Sequence, residues 1–271
     1  MRFEQIDREA LRAQLVRTGI AGEVATPREN NLEHYRRMAA GDPRHQFGLT
    51  LRGWTFERTL DTMARLCGVR PDPRYLRGID TIDPELTVDA LEVMGKRIGA
   101  AAERRETVMF ATGHPGTLMG VYRAIEDRLR AAGCAVSTPS GGWSYAAEEY
   151  YGSPYRELSY TGGVAALVNA AGDPAHTHDP QPMRAMLREL ANGPRPDLVI
   201  ADHGWAGAAG EAGIDTVGFA DCNDPALFAG QEDGKIVVTV PLDDGIRPAE
   251  HYVPLTEYLL ARAGFAESGA R

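Results

Sequence analysis

Cysteine is scarce: Cys67, Cys134 and Cys222 are widely scattered and form no CxxC pair. A disulfide framework and a zinc knuckle are therefore excluded, and each thiol reads as a small buried hydrophobe. Positive charge is also in deficit, with 29 Lys and Arg against 38 Asp and Glu and a formal net charge of −9. Gripping a phosphate backbone needs a positive surface that releases counterions, so no nucleic-acid partner is expected. Polybasic clusters for anionic membranes are absent, and no apolar run approaches the ~20 residues of a membrane span. The opening stretch MRFEQIDREALRAQLVR is charged throughout and lacks the apolar region of a secretory leader. The expectation is a cytoplasmic protein with no membrane partner.

What remains is 271 residues that are 43% hydrophobic and 25% charged. That is a soluble globular balance, long enough for a core domain with a small cap. The texture changes near residue 106. Before it come short helical patterns: one capped by Asp7 and ended by Gly19, one around Leu32, Tyr35 and Met38, one from Thr55, and one opened by Asp83-Pro84. No strand alternation is visible there. After it, apolar runs alternate with helical patterns: TVMFA (107–111), a helix over 116–132, 135–138, 164–168, a helix through Met183 to Leu190, 197–201, 216–220, 235–240, and a last helix over 255–263. Continuous apolar strands between amphipathic helices predict a parallel sheet covered on both faces. The expected fold is α/β, a doubly wound, mainly parallel, Rossmann-like three-layer sheet over 107–271, with residues 1–106 as an N-terminal helical cap.

Ligands of open α/β sheets bind beyond the carboxyl ends of the strands. Four strands here deliver polar residues to that edge: Thr112-Gly113-His114-Pro115-Gly116-Thr117, Asp202-His203, Asp221-Cys222-Asn223-Asp224, and Leu242-Asp243-Asp244. In the first turn Gly113 and Gly116 permit close backbone approach at a helix start, and Thr112, His114 and Thr117 add donors, as a phosphate site requires. A plain strand-to-helix turn would look the same. Asp202, Asp221, Asn223 and Asp224 are hard oxygen donors suited to Mg²⁺ or Mn²⁺, with Asp224 alternatively capping the helix that Pro225 begins. A metal there polarises a phosphoryl group, and His203 or His114 protonates the leaving alkoxide. His176 and His178 form an HxH pair in a loop, either site residues or neighbours of an Asp179 cap. In the cap, Arg28 and Asn30 stand in a polar cluster able to close over an anion.

The standard phosphatase signatures do not fit. No cysteine has an arginine five residues on, the first strand lacks DxD, Arg-His-Gly is absent, and HTHD lies too late for a polymerase-and-histidinol-phosphatase barrel. The combination VMFATGHPGTL, AHTHDPQPM, LVIADHGWAGAAGEAGI, FADCNDPALF and VTVPLDDG instead resembles a family of actinobacterial phosphatases. RTGIAGEVATPRENNLEHYRRM and GIDTIDPELTVDALE extend the likeness over nearly the whole chain. The resemblance points to His114, His176, His178, Asp202, His203, Asp221, Asn223 and Asp224. The Tyr- and Trp-rich segment from Ser140 to Tyr160 departs from the family pattern and is a candidate for shaping substrate choice.

The expected activity is that of a phosphoric monoester hydrolase acting on a small phosphorylated metabolite: a sugar, nucleoside or amino-alcohol phosphate. The expected catalytic residues are His114, Asp202, His203 and Asp221. Thr112, Gly113, Gly116, Thr117, Arg28, Asn30, His176 and His178 would bind substrate. Asp202, Asp221, Asn223 and Asp224 would hold the metal. A sugar-phosphate isomerase or lyase and a non-catalytic phosphate-ligand binding protein are the alternatives. A homo-oligomer is compatible with the sequence.

Overall fold

The computed structural model describes residues 6–147 and 154–265. Its centre is a mostly parallel sheet: β3 (Thr107–Ala111), β7 (Val164–Val168), β9 (Leu198–Ala201), β10 (Asp215–Ala220) and β11 (Val238–Pro241) run in the spatial order β11-β10-β9-β3-β7. All four residues of β9 and of β11 are buried, which is why these strands read as continuous apolar runs. The sheet continues antiparallel beyond β7, through β6 (Tyr155–Thr161) to β5 (Ser144–Ala146), while β8 (Pro174–Ala175) pairs with the end of β7. The short β4 (Ala135–Val136) pairs with Thr107 and Val108, and β7 takes the same edge of β3 at Phe110 and Ala111.

The helices follow their sequence signals. Asp7 accepts from the Ala10 amide at 2.8 Å to start α1 (Arg8–Thr18), and Gly19 ends it at φ 76°. Then come α2 (Arg28–Ala39), α3 (Phe56–Leu66), capped by Thr55, and α4 (Pro84–Arg104), capped by Asp83 with proline in its first turn. After β3 come α5 (Met119–Ala131), α6 (Gln181–Glu189), α7 (His203–Glu211), α8 (Pro225–Glu232) and α9 (Val253–Arg262). Among the described residues no helix is long and apolar enough to cross a membrane.

Two features differ from the sequence reading. The N-terminal part contains an antiparallel pair, β1 (Gly22–Pro27) with β2 (Ile79–Ile82). Its strands are short and far apart in sequence, so the pairing leaves almost no local periodicity to detect. The Asp202-His203-Gly204 segment is also not a free turn, because α7 starts at His203 itself. One hydrophobic cluster joins Leu11, Met94, Val108, Phe219 and Leu259. In it α4 lies along β11 and α9, and α1 rests on α4.

Candidate functional site

Strand register decides what meets at the carboxyl edge. Parallel pairing sets Ala111 beside Ala201 and Ala220 beside Pro241, so the segments after β3, β9, β10 and β11 emerge in one row.

Asp202 and His203 form the middle of that row. Asp202 is extended, and His203 follows at φ 46°. That left-handed backbone costs a side chain about 1–2 kcal/mol, a strain typical of functional positions. It aims the imidazole into the site. Both oxygens of the Asp202 carboxylate are occupied by donors. Oδ1 accepts from the Gly113 amide at 2.6 Å and from His203 Nδ1 at 3.0 Å; Oδ2 accepts from the Thr112 hydroxyl at 2.6 Å and the Tyr122 hydroxyl at 3.0 Å. Burial opposes its charge, but the bond from His203 and the positive charge of that ring hold it below the usual carboxylate range.

The other ring nitrogen, His203 Nε2, faces Asp224 Oδ2 at 2.8 Å and Asp244 Oδ2 at 3.4 Å. Burial alone would lower its pKa; the Asp224 charge and the bonds to Asp202 and Asp224 outweigh that and raise it well above the ordinary value. Three further histidines close around it. His178 stacks on His203 with centroids 4.2 Å apart, His114 lies 4.4 Å from His203, and His176 lies 4.3 Å from His114. Burial and the His203 charge push His114 and His178 well below the usual histidine range, leaving neutral imidazoles with a lone pair to offer. Burial, then the charges of Asp221, Asp224 and Asp202, push Asp244 well above the carboxylate range despite His203.

Among the described residues two groups can hold a metal ion: His114, His178 and His203, and His203, Asp224 and Asp244, with ligand atoms of each group within 4.8 Å of one another. His114 Nε2 lies 3.3 Å from Asp244 Oδ1, so the two groups adjoin. His114 Nδ1 and Asp244 Oδ2 are buried and make no hydrogen bond, Asp244 Oδ2 having only the 3.4 Å approach of His203 Nε2, the condition of polar atoms short of a hydrogen-bond partner or ion. Because Asp202 takes Nδ1, only Nε2 of His203 remains for an ion. A carboxylate behind a ligating histidine is the usual second support of such sites.

A model of the Phosphatase family matches residues 6–267. Over 261 residues the chain is 48% identical to Phosphatase SCO2771 of Streptomyces coelicolor, covering 95% of this chain and 96% of that protein. The chain belongs to the Phosphatase family.

In this Phosphatase chain the edge gathers His114, His176, His178, Asp202, His203 and Asp224, while other expected site residues have different partners. Asp202 is not in either metal-competent group, and its carboxylate is taken up by four donors. Asp221 accepts from the Thr26 hydroxyl at 2.7 Å and the Cys222 amide at 2.6 Å; burial and the Asp243 charge push it up to about 7. The Asn223 side chain donates to Asn30 Oδ1 at 3.0 Å, and its carbonyl lies 2.8 Å from His34 Nδ1. Asp224 precedes α8 but makes no cap bond and turns to His203.

The first turn is likewise engaged internally. Thr112 and Gly113 serve Asp202, and Thr117 donates to the Asp244 carbonyl at 2.5 Å. Arg28 does not close over an anion: it is fully buried, ion-paired to Asp80 at 2.8 Å and bonded to the carbonyls of Tyr75 and Asp72. Four contributors escaped the sequence reading. Asp244 stands in PLDDG at the strand-end edge, where the motif alone does not separate it from Asp243. Tyr122 looks like any core residue on an amphipathic helix. Phe47, 5.1 Å from His178 and 5.4 Å from His203, and His34 come from the N-terminal part, where only the fold brings them near. Of the Tyr-rich segment, Trp143 and Tyr145 stack at 4.9 Å, whereas Tyr150 and Tyr151 lie outside the described residues.

Proposed function

We propose that this chain hydrolyses a phosphate monoester of a small metabolite, assisted by one divalent cation at the strand ends. His203 Nε2, Asp224 and Asp244 would hold the ion, with His114 and His178 on its other side. The observation that carries this reading is the pair of buried donor atoms without a hydrogen bond, His114 Nδ1 and Asp244 Oδ2, in a cluster of imidazoles and carboxylates. Of the two ions expected from sequence, the imidazole-rich donor set favours Mn²⁺ over Mg²⁺, which prefers oxygen ligands and water. When bound, such an ion polarises a phosphoryl group and lowers the pKa of water. The chain's own residues supply the rest. Asp202 fixes the His203 ring through Nδ1, Tyr122 and Thr112 fix Asp202, and Phe47 covers the histidines against bulk water.

The fold supports this placement. Contacts among α1, α4, α5 and α9, and separately among α6, α7 and α8, fit a doubly wound three-layer sheet. Of the expected 1–106 cap, α1 and α4 then belong to a layer of the sheet, and the part between them, which carries Thr26, His34 and Phe47, acts as the cap over the site. Phosphate release from a panel of sugar, nucleoside and amino-alcohol phosphates tests the function, using protein stripped with EDTA and reloaded with Mn²⁺ or Mg²⁺. Release that needs the ion supports the reading. Product that retains its phosphate would favour an isomerase, and binding with no product a non-catalytic role.

A further inference from the structure

We propose, building on the hydrolytic reading above, that Arg247 and the Gly116 amide form the subsite that binds the outer oxygens of the substrate's phosphate. Arg247 stands on the exposed segment that follows Asp244. A Cβ built on Gly116 would lie 3.0 Å from Arg247 Nη2, so the guanidinium rests directly over the turn between β3 and α5. Gly116 has no side chain there, which lets the guanidinium approach the turn closely. Its amide also makes no hydrogen bond among the described residues, unlike those of Gly113, His114 and Thr117.

Charge points the same way. The cluster beneath is bordered by Asp202, Asp221, Asp224, Asp243 and Asp244, all buried, and a dianionic phosphate needs a cation besides the ion to enter it. Arg28 is engaged with Asp80, Arg123 with Glu126 and Asp127, and Lys235 with Glu211. Arg247 makes no hydrogen bond or ion pair among the described residues. Its segment is nevertheless anchored. The Tyr252 hydroxyl donates to the Asp243 carbonyl at 2.7 Å and accepts from the Ile246 amide at 3.0 Å, and Thr117 ties the Asp244 carbonyl to the turn. The backbone that carries the fork is thus anchored next to the turn that leads from His114 to Gly116, and a guanidinium matches phosphate oxygens in bidentate geometry.

The test is calorimetric titration of Mn²⁺-loaded wild-type, R247A and R247K proteins with inorganic phosphate, alongside KM and kcat for the best ester. R247A should weaken phosphate binding about ten- to hundredfold, the range of a lost charged hydrogen bond. KM should rise in step while kcat changes less. R247K should recover part of the loss, and metal content and Tm should stay at the wild-type values, because the side chain is exposed. Unchanged phosphate affinity in R247A would overturn the subsite, as would loss of bound metal. The titration needs no turnover. If the wild type releases no phosphate from any ester, hydrolysis fails, and the phosphate affinities still decide the subsite.

Discussion

At the scale of single residues, neighbours in sequence have divided two tasks. His203 presents one nitrogen to the carboxylates that can hold an ion, and Asp202 keeps its other nitrogen in place. Asp202→Asn keeps one acceptor oxygen, and the hydroxyls of Thr112 and Tyr122 can turn to accept from the new amide. The fold should therefore survive with a loss of about 1–3 kcal/mol, while affinity for Mn²⁺ falls roughly 10- to 100-fold. Chemical denaturation and equilibrium dialysis separate the two effects; unchanged metal affinity would remove Asp202 from its positioning role. Arg28 gives the opposite case. Arg28→Ala leaves Asp80 buried without its cation, and Asn31, which donates to Asp80 at 2.9 Å, cannot neutralise it. Stability should drop by about 3–5 kcal/mol, and KM of the remaining folded enzyme should not move. A raised KM with full stability would restore Arg28 as an anion clamp.

At the scale of elements, the site depends on close backbone contacts that glycine allows. A Cβ on Gly204, in the first turn of α7, would collide with the His178 carbonyl oxygen and with the Asp179-Pro180 backbone. Gly204→Ala should push α7 from the His176–Asp179 loop, separate the stacked His178 and His203 rings, and cost about 1–3 kcal/mol. A thermal melt and metal affinity together check this, and wild-type values for both would contradict it. These contacts also explain what was legible in the sequence. Asp7, Thr55 and Asp83-Pro84 mark helix starts by capping chemistry, and the runs at 107–111 and 216–220 mark strands because both faces of the sheet are covered. The row of polar segments beyond β3, β9, β10 and β11 followed from strand direction alone. Which carboxylate would face the ion did not follow. Asp202 directly follows β9 yet is taken up by the donors of Thr112, Gly113 and Tyr122, whereas Asp244, three residues beyond β11, faces the histidines. The β1–β2 pair was hidden because its partners are distant in sequence.

At the scale of the whole molecule, the N-terminal part reaches the sheet edge through a few long-range bonds. Tyr35 donates to the Cys222 carbonyl at 2.6 Å, Thr26 donates to Asp221 at 2.7 Å, and Phe47 covers His178 and His203. Tyr35→Phe removes the donor from a buried carbonyl beside the metal-competent segment and should cost about 1–3 kcal/mol. A melt at the wild-type temperature would argue against that coupling. The central claim is that hydrolysis runs through one divalent ion held at His203, Asp224 and Asp244. The most direct measurement is bound Mn²⁺ and phosphate release taken from the same samples, as stripped protein is titrated with Mn²⁺. The account predicts no release without the ion and activity rising in proportion to occupancy up to one ion per chain, with both lost in a D224N/D244N variant that remains folded. Full release from ion-free protein, or ion binding that leaves activity unchanged, would contradict it.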